Sequence, residues 1–249
     1  MMCKVMGIVN VTPDSFSDGG QFFRPEEAIR RAKNLIAEGA DIIDLGGEST
    51  RPGATPIGWE EEWSRIEPVL VGLTSSVSRL KSFQISVDTY HPETAARAIE
   101  AGVNIINCVY AEPIPEMMKL LAGNAVELVV PWKCFETLAS ASRRDADGTV
   151  DRLYLDPMIG FGTTREEDVA LLRSIPELAK KGRVLVGASR KRIVKKLVGE
   201  KSAVGKNIGG NVAIVVWAAM NGASVVRVHD VKETVQALRV VDALGEGER

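Results

Sequence analysis

A loop dense in amide, hydroxyl and carboxylate groups, Asn10-Val11-Thr12-Pro13-Asp14-Ser15-Phe16-Ser17-Asp18-Gly19-Gly20, follows directly on the apolar run Val5-Met6-Gly7-Ile8-Val9. A buried strand that ends this way releases groups poorly suited to packing and well suited to a polar ligand or a metal. Two more apolar runs end alike, in Gly46-Gly47-Glu48-Ser49-Thr50-Arg51-Pro52-Gly53 and in Gly187-Ala188-Ser189-Arg190-Lys191. Others end in Asp88, Asn107, Asp156, and Arg227 with His229. Polar groups gathered at the C-terminal ends of several strands read as an active site.

The residue types say what such a site would hold. Asp88 closes Ile85-Ser86-Val87, and Asp156 closes Leu153-Tyr154-Leu155. A carboxylate at the mouth of an apolar strand is expensive to bury unless it accepts hydrogen bonds. With Asn107, the two offer acceptors and donors that suit a flat, nitrogen-rich heterocycle such as an aminopyrimidinone edge. Capping of the following helix is the alternative role for Asp88. Arg51, Lys191, Arg227 and His229 are cations of the kind that bind phosphate oxygens, although each alone also suits a solvated surface. Arg227 and His229 stand two apart, so on a strand they share a face, and that pairing is costly without an anion between them. Asn10, with Thr12, Asp14 and Ser15 behind it, suits a hard cation beside a pyrophosphate, because magnesium takes few protein ligands and keeps its waters. An ordinary Asx or proline turn is the alternative there.

The elements that must position these residues alternate regularly. Short β-branched runs predict strands at Lys4–Val9, Asp41–Leu45, Gln84–Val87, Asn104–Cys108, Val126–Val130, Leu153–Leu155, Val184–Val186 and Val225–Val228. Helical periods lie between them, at Pro25–Ala37, Glu60–Leu80, Pro92–Ala101, Pro115–Leu121, Glu166–Leu178, Gly209–Met220 and Val231–Leu244. Gly39, Gly102 and Gly222 stand at helix-to-strand joints, where left-handed caps are expected. Apolar strands alternating with helices mean a parallel sheet covered by helices. Eight such units in 249 residues fit a (β/α)8 TIM barrel, one domain over residues 1–249. A doubly wound open sheet competes, but no glycine-rich dinucleotide fingerprint follows the first strand and the polar loops are spread over many strands. Only about twenty residues separate Val130 from Leu153, so the fifth helical segment is shortened, irregular or absent.

A net charge of −2 supplies no basic field for nucleic acid or a membrane surface. Three cysteines without CxxC spacing and two histidines offer no zinc site, and suit a reducing cytoplasm. No window reaches the roughly 20 apolar residues of a membrane helix. A soluble, cytoplasmic protein is expected.

Residues 7–20 and 39–53 resemble the two long signatures of the dihydropteroate synthase family. Ile85-Ser86-Val87-Asp88-Thr89, Asp156-Pro157 with Gly160-Phe161-Gly162, Gly187-Ala188-Ser189-Arg190-Lys191 and Arg227-Val228-His229-Asp230-Val231 follow in family order. The resemblance covers nearly the whole chain. It implies a TIM barrel, a homodimer joined through C-terminal helices, and a magnesium cofactor. The implied reaction condenses 6-hydroxymethyl-7,8-dihydropterin pyrophosphate with p-aminobenzoate to 7,8-dihydropteroate. By motif, Asp88, Asn107, Asp156 and Lys191 would bind the pterin, while Asn10, Arg227 and His229 would hold the pyrophosphate with the metal. Thr50, Arg51, Pro52 and Ser189 would meet p-aminobenzoate, and Phe16 and Phe161 would enclose the aromatic rings. Lys191, Asp88, Arg227 and His229 would carry most of the catalysis.

Departures cluster on the pterin side. Cys108 follows Asn107 where the family has Asp, Val130-Pro131-Trp132-Lys133 replaces a Met-His-Met-like stretch, and Thr163 stands where a lysine is usual. Stacking by Trp132 would replace the lost apolar contacts. Two rival functions follow, a non-catalytic pterin-binding paralogue and a pterin-dependent methyltransferase. The second has no reason to keep the Asn10 loop together with Ser189-Arg190-Lys191.

Overall fold

The computed structural model describes residues 3–12, 24–49, 54–75, 83–142, 149–199 and 207–245. Eight parallel strands close into a barrel in chain order: β1 Lys4–Asn10, β2 Ile42–Gly46, β3 Gln84–Asp88, β4 Ile105–Asn107, β5 Glu127–Pro131, β6 Leu153–Asp156, β7 Arg183–Val186 and β8 Val225–Val228. Each matches its sequence expectation to within one residue at either end. The expected barrel is therefore the fold.

Alternation along the strands sorts the side chains. One set packs outward against the helices, including Val5, Ile43, Val87, Ile106, Leu128, Leu155, Val186 and Val226. The other fills the barrel with Met6, Ile42, Ile105, Val129, Tyr154, Leu185 and Val225, nearly all without solvent contact. Below that layer polar residues plug the barrel's N-terminal end. Lys4 Nζ donates to Gln84 Oε1 at 2.8 Å, and Arg183 pairs with Glu127 while lying 4.0 Å from the Tyr154 ring centre. Above it, at the C-terminal end, the interior positions turn polar. The registers Asn10–Gly46, Gly46–Asp88 and Asp88–Asn107 set one rung around the mouth.

The helices depart from expectation in two places, the split of the sixth and an extra helix in the seventh crossover. The helix α1 Pro25–Glu38 begins on Pro25 and buries Ala28, Ala32, Leu35 and Ile36, as its periodicity implies. α2 is Trp59–Thr74, and the expected extension to Leu80 lies outside the described residues. α3 Pro92–Glu100 and α4 Ile114–Leu121 follow. The fifth unit is short: a 3-10 turn at Trp132–Cys134 leads into the eight-residue α5, Phe135–Ser142. The expected helix Glu166–Leu178 is two, α6 Arg165–Arg173 and α7 Ile175–Ala179. Pro176 has no N–H for the Leu172 carbonyl, so the ladder breaks at Ser174. The seventh crossover holds an unexpected α8, Arg192–Val198, before α9 Ile208–Met220. Only Ile193 and Val194 of α8 are buried, too few for a periodic signal. α10 is Val231–Gly245. Gly39, Gly102 and Gly222 all take the positive φ expected of them, 107°, 86° and 93°.

One glycine brings the second loop against its helix. A Cβ on Gly47 would lie 2.9 Å from the backbone carbonyl of Glu62 and 3.0 Å from Ile66 Cγ1, atoms with little room to move. Gly47→Ala should therefore cost about 1–3 kcal/mol of stability in denaturant unfolding. Gly209→Ala, which meets nothing within 4 Å, should cost none. Equal stability of the two variants would contradict this packing.

Candidate active site

Five of the residues picked out by position converge at the mouth. Arg227 starts low in β8, in register with Met6, and its long side chain climbs across the barrel. Its Nε–H donates to Asp44 Oδ2 at 2.6 Å and its Nη2 to Asp88 Oδ2 at 2.5 Å. Asn107, 1% exposed, donates from Nδ2 to Asp44 Oδ2 at 3.4 Å. The cap alternative for Asp88 falls away: α3 has His91 at its N-cap with no side-chain bond, and the Asp88 carboxylate goes to Arg227.

The same contacts revise the argument from charge. Arg227 and His229 do not face each other as a bare cation pair. Arg227 is matched by Asp44 and Asp88, so no anion is needed to make its burial tolerable. β8 ends at Val228, and His229, one residue beyond, turns to Ser189. Ser189 Oγ accepts from His229 N–H at 3.2 Å and lies 3.1 Å from His229 Nδ1. The His229 carbonyl accepts from Arg31 Nη2 at 2.8 Å, which ties that corner to α1.

Across the mouth, the loop after β6 is built as a brace for Lys191. Asp156 accepts the Met158 N–H at 2.7 Å, and Met158 takes a left-handed φ of 66°. Asp168, 1% exposed in the first turn of α6, accepts from Gly160 N at 2.7 Å and from Thr163 Oγ1. Lys191 Nζ donates to the Ile159 carbonyl at 2.6 Å and sits 4.3 Å from the Phe161 ring centre. Gly160, with φ 78°, leaves space for the lysine stem, since a Cβ there would lie 3.0 Å from Lys191 Cδ. Arg190 is also left-handed, at φ 59°, and its N–H is held by Asn211 Oδ1 at 3.1 Å. Two non-glycine residues in that region cost about 1–3 kcal/mol each, and such strain collects at functional sites.

Burial sets the protonation of these groups. It pushes the Asp88 carboxyl up to about 7, with Arg227 opposing and Asp44, Glu62 and Asp156 adding to the rise. Asp156 is raised by burial against the pull of Lys191. Burial drives Lys191 down to about 8, with Asp156 opposing. Among the described residues, the cations that face Asp44, Asp88 and Asp156 are Arg227 and Lys191. The cluster has more acceptors than donors and suits a ligand that brings N–H groups.

The departures are structurally quiet. Cys108 is fully buried with its Sγ toward the Tyr110 carbonyl, and burial raises its thiol to about 12. Trp132 packs against the hydrophobic core, and Pro131 sits in register with Asp156. Thr163 spends its hydroxyl on the Asp168 brace.

Asn10 ends β1 beside Gly46. Phe16, Thr50, Arg51 and Pro52 lie outside the described residues. Residues to which the sequence gave no role also appear: Asp44, Asp168 and Asn211. Asp44 could have been found, because it is the one charge inside the buried strand Ile42-Ile43-Asp44-Leu45-Gly46.

A family model described as pterin binding enzyme matches residues 6–142 and 133–229. The dihydropteroate synthase of Staphylococcus haemolyticus is 36% identical over 261 aligned positions, covering 98% of this chain and 96% of its own. The structure of Xanthomonas albilineans dihydropteroate synthase with 4-aminobenzoic acid superposes with a TM-score of 0.86 at 38% identity, over 98% of this chain and 94% of that one. The same enzyme in complex with 7,8-dihydropteroate gives 0.83 at 35%, with the same coverage.

Ligand affinity at this mouth should rise as Asp88 ionises through pH about 7, and fall as Lys191 loses its charge above about 8. Lys191→Arg, whose guanidinium stays protonated, should remove the alkaline limb. A flat affinity profile between about pH 5 and 9 in calorimetric titrations would contradict these assignments.

Proposed function

Because the chain belongs to the dihydropteroate synthase family of pterin-binding enzymes, we propose that its barrel mouth condenses 6-hydroxymethyl-7,8-dihydropterin pyrophosphate with p-aminobenzoate. The convergence of Asp88, Asn107, Asp156, Lys191 and Arg227 on one buried, donor-poor pocket is the observation that carries this reading. The pterin's amino and ring N–H groups supply the donors the pocket is short of, and Lys191 supplies one for a ring acceptor. Phe161, beneath the Lys191 ammonium, walls one side of the ring.

Pyrophosphate would leave toward the β1 and β8 ends, where Asn10 and His229 stand. Of its five N–H groups, Arg227 spends one on Asp44 and one on Asp88, which leaves the others for an anion. Among the described residues no group of three or more His, Cys, Asp or Glu side chains forms a metal cage. Asn10, at the end of β1 beside Gly46, would offer its side-chain oxygen to a magnesium ion carried in by the pyrophosphate. When bound, the ion neutralises charge on the leaving oxygens.

In the reaction the methylene C–O bond breaks, the oxygen keeps the electron pair, and the arylamine nitrogen forms the new C–N bond and loses a proton. The electron-rich dihydropterin stabilises the intervening cationic methylene, so no covalent enzyme nucleophile is required. The residues bind and orient, and positioning of this kind supplies most of the rate. Ser189 stands beside His229, next to the expected arylamine position, and the loops carrying Phe16 and Thr50-Arg51-Pro52 would complete that subsite and exclude water.

The pterin-binding paralogue rests on the short α5 and the altered residues around β5, and it predicts binding without turnover. The barrel, counted from β1 to β8, supports one domain over the whole chain. None of its described helices is long and apolar enough to cross a membrane, and three free cysteines suit the cytoplasm. Trp217 and Met220 on α9, with Val240 and Leu244 on α10, are 48–77% exposed on two helices that pack together. The exposure of these apolar groups supports the homodimer, in which a second copy would bury them.

Purified protein with magnesium should form dihydropteroate from the two substrates, and a sulfonamide should compete with p-aminobenzoate. Lys191→Ala and Asp88→Asn should each slow turnover at least about tenfold, roughly 1.4 kcal/mol in the barrier. Pyrophosphate ester binding with no product would select the paralogue instead. Sedimentation velocity should find a dimer that Met220→Lys with Leu244→Lys converts to monomer; an unchanged dimer would place the interface elsewhere.

A further inference from the structure

Asp44 takes no part in the ligand contacts outlined above, yet it is the most enclosed charge in the barrel, with no solvent exposure at all. Arg227 has a second carboxylate beside it, because Asp88 also pairs with that guanidinium at 2.5 Å. A second buried carboxylate against one arginine adds desolvation cost, and Asp44 Oδ1 has no hydrogen-bond partner among the described residues. Stability alone argues for an apolar residue here, like Ile42 and Leu45 beside it on β2.

The contact that accounts for Asp44 is the one to Asn107. A carboxylate only accepts, so the Asn107 amide must turn its NH2 toward Asp44 Oδ2. That orientation leaves Asn107 Oδ1 as the opposite face of the amide, and this oxygen is buried with no partner among the described residues. A neutral residue at position 44 would let the amide rotate and present either atom. We propose that Asp44 is the positioning residue of this site: it locks Asn107 as an acceptor toward the ligand and holds Arg227 in its fork with Asp88. The consequence is specificity. Asn107, Asp88 and Asp156 together then read an edge of adjacent N–H donors, as on an amino-substituted pyrimidinone, and reject a ring that presents an acceptor there. This deepens the pterin reading and rests on it.

Titration calorimetry with 6-hydroxymethyl-7,8-dihydropterin pyrophosphate, on wild type and Asp44→Asn, tests it. Wild type should bind; if it does not, the pterin reading itself fails and this inference with it. If wild type binds, Asp44→Asn should bind at least about tenfold more weakly while its Tm is unchanged or higher. The KM for the pterin substrate should rise in step, with the KM for p-aminobenzoate within about twofold of wild type. Wild-type affinity in the variant would overturn the inference, and so would an equal rise in both KM values. Should the variant fail to fold, NMR on the wild type decides. The Asn107 side-chain NH2 protons should exchange slowly before ligand is added and stay on Asp44 afterwards. Their transfer to the ligand would refute the assignment.

Discussion

Arg227 reaches from β8 to two carboxylates on neighbouring strands, Asp44 on β2 and Asp88 on β3, and the geometry of the barrel mouth follows from that fork. A closed eight-stranded barrel has no room for water between its walls, so charge placed in its upper layer must be compensated by the protein. One guanidinium with a planar fork can hold two carboxylates in fixed positions, which an ammonium could not. Asn107 leans on the same Asp44 oxygen. Arg227 joins both carboxylates and Asn107 shares one of them, so these residues are coupled and act as a unit.

The rest of the molecule makes that unit possible. Met6, Ile42, Ile105, Val129, Tyr154, Leu185 and Val225 form a dry floor beneath it, and the Glu127–Arg183 pair seals the far end. On the other rim, Asp168 fixes the loop after β6 so that the Ile159 carbonyl meets Lys191. Two left-handed residues, Met158 and Arg190, aim the chain at the mouth, and local hydrogen bonds hold that strain. The result is a site whose acceptors outnumber its donors among the described residues, and in which burial moves Asp88 up to about 7 and Lys191 down to about 8. A donor-rich heterocycle with a pyrophosphate arm complements both properties.

Most of this scaffold was legible in the chain because the signals were local. Strand ends could be read from apolar runs that stop at one polar residue, and turns from Gly39, Gly102 and Gly222. Helices were less legible where local signals failed. Pro176 splits a segment whose apolar spacing continues through it, and α8 buries too little to show a period. The site was half legible for the same reason. Asp88, Asn107, Asp156 and Lys191 announce themselves by position, but the partner of each is far away in sequence. The bond from Arg227 to Asp44 spans 183 residues, so the pairing of Arg227 and His229 looked like an unmet charge when it was not. Asp44 stood out as the one acid inside an apolar strand, but its partners on β4 and β8 could not be named from the sequence.

The central claim is that this pocket holds a pterin ring by its N–H edge. The crystal structure of the protein soaked with 6-hydroxymethylpterin tests it most directly. The account predicts a ring in the barrel mouth with its donors on Asn107 Oδ1, Asp88 and Asp156, and Lys191 at a ring acceptor. A ring seated elsewhere, or with its acceptor edge toward Asn107, would contradict it.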